Sequence, residues 1–204
     1  MRLIGMLDSP YVRRVAVSMR YMGLPFAHEP VSVFRHFEQF AAINPIVRAP
    51  TLVCDDGTVL MESTLILEYL EHLAQPDRRL GTTDAHQFAR HQRIVGLALS
   101  GCEKTVQLFY ERTLRPAEKQ HQPWAGRVQQ QALAAYRMLD AEIGTQQGWL
   151  FGARPLQADI TAAVAWNFSK FVVPDTATPA TFPALEAFTQ RAERQPEFLA
   201  APMT

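Results

Sequence analysis

Hydrophobic positions change their period along this chain, and each change marks an element. Arg2 to Met6 is a short apolar run of strand length. In Pro10 to Met22, residues Val12, Val15, Ala16 and Met19 recur at i, i+3, i+4 and i+7, one face of a helix. Gly23 and then Pro25 supply its stop signals. Phe26 to Val33 reads as extended, and Pro30, which cannot donate to a ladder, assigns it to an edge. Phe34 to Ile43 is a short helix closed by Asn44-Pro45. Pro50 to Cys54 and Thr58 to Met61 flank Asp56-Gly57, a dipeptide that favours a two-residue type I′ hairpin turn. Ser63 to Leu73 returns to the helical period through Ile66, Tyr69, Leu70 and Leu73. The order β-α-β-α-β-β-α combines a parallel crossover with an antiparallel hairpin, an α/β domain with a mixed sheet and helices on its faces.

Ala74 to Thr83 is polar and rich in breakers, a linker. From Asp84 onward the pattern is helical throughout. Asp84 with Gln87 makes a capping-box pattern, and Val95, Leu99, Cys102, Val106 and Phe109 carry one stripe towards Arg115-Pro116. Trp124 to Ile143, Gln157 to about Phe168 and Ala184 to Arg194 complete the set. Two domains follow: an α/β one over residues 1–75 and an all-α one over residues 84–204.

Composition narrows the function more by exclusion than by pointing. The 204 residues are 48% hydrophobic and 20% charged, enough apolar material for a sizeable core. Twenty basic side chains balance twenty acidic ones, so no global field recruits nucleic acid or an anionic membrane. The local pairs Arg13-Arg14 and Arg78-Arg79 read as solvated faces. Met1 to Asp8 lacks the features of a signal peptide, and no apolar run approaches the roughly 20 residues that span a bilayer. Cys54 and Cys102 form no CxxC and suggest no disulfide framework, so a cytoplasmic protein is expected. The six histidines have no metal-ligand spacing; His86 and His91 stand at i, i+5, the wrong interval for one helix face. No metal site is expected. G-x-S-x-G, P-loop and G-x-G-x-x-G patterns do not occur.

Three short marks remain. Ser9 precedes Pro10, which suits the first helical position. A serine there caps a helix, and its hydroxyl at the positive end of the dipole can also hold an anion such as a thiolate. Ala49-Pro50 opens a strand; a cis bond there turns the backbone N–H and C=O of Ala49 outward, where an extended peptide can pair with them. Glu62-Ser63 opens the next helix: as structure, Ser63 is the cap and Glu62 a surface residue. As a site, the Ser63 hydroxyl takes a carboxylate and Glu62 the neighbouring ammonium, the amino-acid end of a small peptide. Arg35, His36 and Arg48 are candidates for a second carboxylate.

In this order the marks resemble the glutathione transferase superfamily, a thioredoxin-like domain followed by a helical one. The resemblance rests on Ser9 to Val15, on Asn44 to Leu52, on Glu62-Ser63 with Ile66 to Leu70, and in the second domain on Leu156 to Ile160 and Phe182 to Leu185. It implies that Ser9 hydrogen-bonds the glutathione sulfur, that Ala49 pairs with the cysteinyl group beside a cis Pro50, and that Glu62 and Ser63 hold the γ-glutamyl end. Arg35 and His36 fall near the glycyl end, and Phe109, Tyr110 and Trp166 are candidates for the second-substrate pocket. The implied chemistry is a detoxification type: conjugation of the glutathione thiolate, the co-substrate, to a small and largely apolar electrophile, by a homodimer without a metal. The alternatives are a non-catalytic glutathione-binding or interaction protein and, less favoured because Ser9 is no nucleophile for disulfides and Cys54 falls in a strand, a thiol–disulfide reductase. Leu156 departs from the family pattern, standing where many members cap the Ala158-Asp159-Ile160 helix with Ser or Thr; the expected cost is stability, about 1 kcal/mol.

Overall fold

The structure, a computed structural model, describes residues 1–203. The chain divides into two compact units, Met1–Gly81 together with the tail from Gln195 onward, and Thr82–Arg194. The tail's place in the first unit corrects the expected 84–204 domain.

The first unit is built on four short strands, β1 (Arg2–Ile4), β2 (Ala27–Glu29), β3 (Thr51–Val53) and β4 (Val59–Met61), in the spatial order β2-β1-β3-β4. β1 pairs parallel with β2, and β3 pairs antiparallel with β4, as the sequence pattern predicts; β1 also pairs antiparallel with β3, which joins the two halves into one sheet. Helix α1 (Pro10–Met22) crosses from β1 to β2, α2 (Phe37–Ile43) leads to β3, and α3 (Ser63–Leu73) follows β4. Ile4 packs with Val31 and Phe40 of the α2 side. Alternation along the strands turns Leu3 and Leu52, both fully buried, to the opposite face. The hairpin differs from its expected type I′ turn. The Gly57 N–H donates to the Cys54 carbonyl at 3.1 Å, which makes Cys54 to Gly57 the turn. Gly57 at φ 87° is its only residue at positive φ. The Thr58 N–H bonded to Asp56 Oδ1 at 2.9 Å closes the loop from its other side.

The last helix, α8 (Pro196–Leu199), packs on α1. Phe198 is fully buried against Tyr21, ring centroids 6.4 Å apart, and under the Arg13 guanidinium at 5.7 Å. Arg13 Nε also donates to the Ala201 carbonyl at 2.8 Å. Arg13 and Arg14 are each 2% exposed, so this pair is interior and not the solvated face expected. The reason lies on α1 itself: Val12, Val15, Ala16, Val17 and Met19 are buried on almost every side, and a helix buried all round takes its arginines inside with it.

The second unit contains α4 (Ala85–Thr113), α5 (Gln122–Ile143), α6 (Gln157–Val172) and α7 (Pro183–Glu193). Asp84 caps α4 through a 2.8 Å bond from the Gln87 N–H, as its pattern predicts. α6 is the central helix, with every residue from Ala158 to Trp166 buried. Tyr136 of α5 joins it through Ser169 and Thr105, a cluster of buried hydroxyls, and burial raises the phenol far above its usual range.

Candidate active site

Ser9 is the N-cap of α1, with Pro10 in the first turn. Its Oγ accepts the Val12 N–H at a long 3.4 Å, and among the described residues the hydroxyl's own proton has no acceptor. A half-buried hydroxyl with a spare proton at the positive end of a helix suits an anion.

The Ala49–Pro50 bond is cis. Ala49 is half-buried, and among the described residues its backbone N–H and C=O enter no hydrogen bond. Gly5 at the end of β1 brings Ala49 to α1. A Cβ on Gly5 would stand 2.6 Å from Val12 Cγ2 and 3.2 Å from Ala49 Cβ, so only a glycine lets the first turn of α1 and the Ala49 segment approach. No sequence mark pointed to Gly5; its backbone at φ 134° needs the fold to be seen.

Glu62, not Ser63, is the N-cap of α3. It adopts φ 72°, a left-handed conformation that a glutamate rarely takes, and such outliers concentrate at functional sites. Its Oε2 accepts the Thr64 N–H at 3.1 Å, and the Ser63 hydroxyl lies 3.5 Å from Oε1. Ser63 is 1% exposed, and Arg14 Nη1 donates to its Oγ at 3.1 Å and to Thr64 Oγ1 at 3.4 Å. Arg14 thus ties the second turn of α1 to the start of α3. Sequence reasoning missed this contact; the one local signal was a pair of arginines flanked on both sides by apolar residues of the helix, Val12 and Val15 to Val17.

The remaining candidates are less focused. Arg35 is exposed, with Nη2 4.0 Å from the sulfur of Met6 in the loop that leads to Ser9. His36 caps α2 by position, and its Nδ1 accepts the Ser32 N–H at 3.2 Å, which occupies one ring nitrogen. Arg48 is exposed, and its carbonyl takes the Thr51 hydroxyl at 2.8 Å. In the second unit, Phe109 is half-buried, and Tyr110 is exposed on α4 with its ring centroid 6.1 Å from that of Phe109. Trp166 is fully buried between Tyr136 and Phe182, its Nε1 donating to Glu186 at 2.8 Å, and so it is a core residue of the helical unit and not a pocket wall. Cys54 and Cys102 are both buried and form no disulfide. Among the described residues no cluster of His, Cys, Asp or Glu could hold a metal, and no helix is long and apolar enough to cross a membrane.

A thioredoxin-like sheet with its marks at two helix starts and a cis-proline turn, followed by a helical unit, defines a glutathione transferase-type enzyme. The comparisons with known proteins agree. The glutathione S-transferase N-terminal domain matches residues 3–78, and the glutathione S-transferase C-terminal domain matches residues 122–191. A maleylacetoacetate isomerase of Pseudomonas aeruginosa is 32% identical over 170 residues, 78% of this chain and 77% of its own length. A glutathione S-transferase of Methylobacterium radiotolerans, solved in complex with glutathione sulfonate, superposes with a TM-score of 0.90 at 26% identity, covering 98% of this chain and 93% of that one. A glutathione transferase family member from Pseudomonas fluorescens with bound glutathione does so with a TM-score of 0.83 at 25% identity, over 100% and 98% of the two chains. The chain belongs to the glutathione S-transferase family.

Proposed function

We propose that this protein binds glutathione in its first unit and that Ser9 stabilises the thiolate, which attacks a small, largely apolar electrophile. The observation that carries the reading is the Ser9 hydroxyl, which keeps a proton to give at the positive end of α1. A free thiol with a pKa of roughly 8.5 is mostly protonated at neutral pH, so a hydrogen bond to the charged form and a favourable dipole raise the fraction of the reactive species. In this reading the backbone of Ala49 pairs with the cysteinyl group, Glu62 takes the γ-glutamyl ammonium and Ser63 its carboxylate. Arg35 or His36 meets the glycyl carboxylate. Phe109 and Tyr110 supply apolar surface for the electrophile. Proximity supplies the rest of the rate. Two buried cysteines that form no disulfide fit work in the cytoplasm, and the reading includes a homodimer.

The likeness to an isomerase supports a second outcome of the same chemistry. The thiolate adds to the substrate and is expelled again, so glutathione is used but not consumed. Following glutathione loss alongside substrate loss separates the two.

Ultraviolet titration of the glutathione complex from about pH 5 to about pH 10 tests the reading in wild type and Ser9→Ala. A thiolate band near neutral pH, lost or shifted upward in Ser9→Ala, is the expected result. Saturable binding without that band points instead to a glutathione-binding protein without catalysis, and no binding sinks the reading.

A further inference from the structure

We propose that Arg14 is a positioning residue of the site: it fixes the Ser63 hydroxyl as a donor and makes the start of α3 selective for a carboxylate. The proposal rests on the reading of Glu62 and Ser63 as holders of the γ-glutamyl end.

Arg14 is 2% exposed, and its guanidinium has five donors, no acceptor and a permanent charge. Burying that charge is costly unless the surroundings answer it. Here Nη1 bridges Ser63 Oγ at 3.1 Å and Thr64 Oγ1 at 3.4 Å, the first two residues of an 11-residue helix. The N-terminal end of that helix is itself positive, so the cation and the dipole superpose where the Glu62 carboxylate already sits.

The hydroxyl's geometry turns this field into a selection. Because Arg14 donates into the Ser63 oxygen, the Ser63 proton is turned away from the arginine. It points to Glu62 Oε1, 3.5 Å away, or to an acceptor lodged beside it. A ligand carboxylate satisfies both the donor and the positive potential; an amide, a methylene or an ammonium at the same place does not. Ser63 is 1% exposed, so a ligand meets little of it beyond this proton. The same two bonds hold the first turn of α3 below the left-handed Glu62 backbone, and so set where the Glu62 side chain begins.

Calorimetric binding of two tripeptides tests this: glutathione, and γ-aminobutyryl-cysteinylglycine, which lacks only the α-carboxylate of the γ-glutamyl residue. Wild type is expected to prefer glutathione by about tenfold or more, the scale of a charge-assisted hydrogen bond. In Arg14→Met the preference falls to near unity while the weaker ligand binds much as before. Arg14→Lys keeps the charge without the fork and retains part of the preference. Should Arg14→Met not fold, Arg14→Lys and Ser63→Ala, singly and together, carry the test, because non-additive losses in the preference mark a shared interaction. Two results overturn the proposal while leaving the glutathione reading in place: Arg14 variants that keep the wild-type preference, or that lose both ligands in equal measure. Wild type binding neither peptide overturns both.

Discussion

The imidazole of His91 on α4 caps helix α6 in place of a local side chain, accepting the Ala158 N–H at Nε2 over 3.2 Å. Leu156, at the N-cap, carries no acceptor, so only the reciprocal half of a capping box forms there, with Asp159 Oδ2 taking the Leu156 N–H at 2.9 Å. His91 is 3% exposed and lies against the Phe151 ring, centroids 5.4 Å apart. The missing cap expected from the sequence is therefore supplied from another helix.

His91→Ala should cost about 1–2 kcal/mol, because it strands a buried N–H and removes packing. His91→Gln, which retains an acceptor, should recover part of that. Urea unfolding of the three proteins checks it; equal midpoints for wild type and His91→Ala would dismiss the capping role.

Asp159 makes a prediction in pH. Desolvation raises its pKa to about 6 from an ordinary 3.8, against the lowering effect of N–H bonds from Leu150 at 2.7 Å and Leu156 at 2.9 Å. Between those values the folded chain holds a proton that the unfolded chain has released, so stability from this group falls as pH rises. It is fully present below about pH 4 and lost through about pH 6, on the order of 2–3 kcal/mol. The stability difference between wild type and Asp159→Asn should shrink by that amount over this range. A difference independent of pH would refute it.

Sequence and structure part where a contact stops being local. The Ser9-Pro10 start of α1 and the Asp84 cap of α4 were legible because cap and helix lie within three residues of each other. Glu62 took the cap expected of Ser63 because its backbone turned to φ 72°, and no sequence pattern signals a glutamate in that conformation. Asp56-Gly57 was legible as a turn but not as a turn type, since both central residues of a type I′ turn need positive φ and only Gly57 adopts it. The buried state of Arg13 and Arg14 depends on residues 188 and 49 positions away along the chain, Ala201 and Ser63. Trp166 was a pocket candidate whose spacing favoured the core, and its full burial puts it there.

The tail should behave as part of the first unit's core. Phe198→Ala removes a fully buried ring that touches Tyr21 and lies under Arg13, with an expected loss of about 3–5 kcal/mol. Leu199→Ala, next to it and 65% exposed, should cost no more than about 0.5 kcal/mol. Hydrogen exchange reports where the loss falls: amides of α1 should lose protection in Phe198→Ala. Unchanged α1 protection would contradict this packing.

Gly5 links stability to the candidate site. In Gly5→Ala the new methyl meets Val12 Cγ2 at 2.6 Å, and Val12 is fully buried and stiff, so the clash moves either α1 or the Ala49 segment. The backbone at φ 134° adds strain for any residue with a Cβ. Destabilisation of about 1–3 kcal/mol is expected, together with weaker glutathione binding, because Ser9 and Ala49 stand on the two segments pushed apart. Adding Val12→Ala makes room for the methyl and should restore binding more than it restores stability, since it opens a cavity of its own. A Gly5→Ala protein that binds glutathione as wild type does would show that the close approach of these segments has no part in the site.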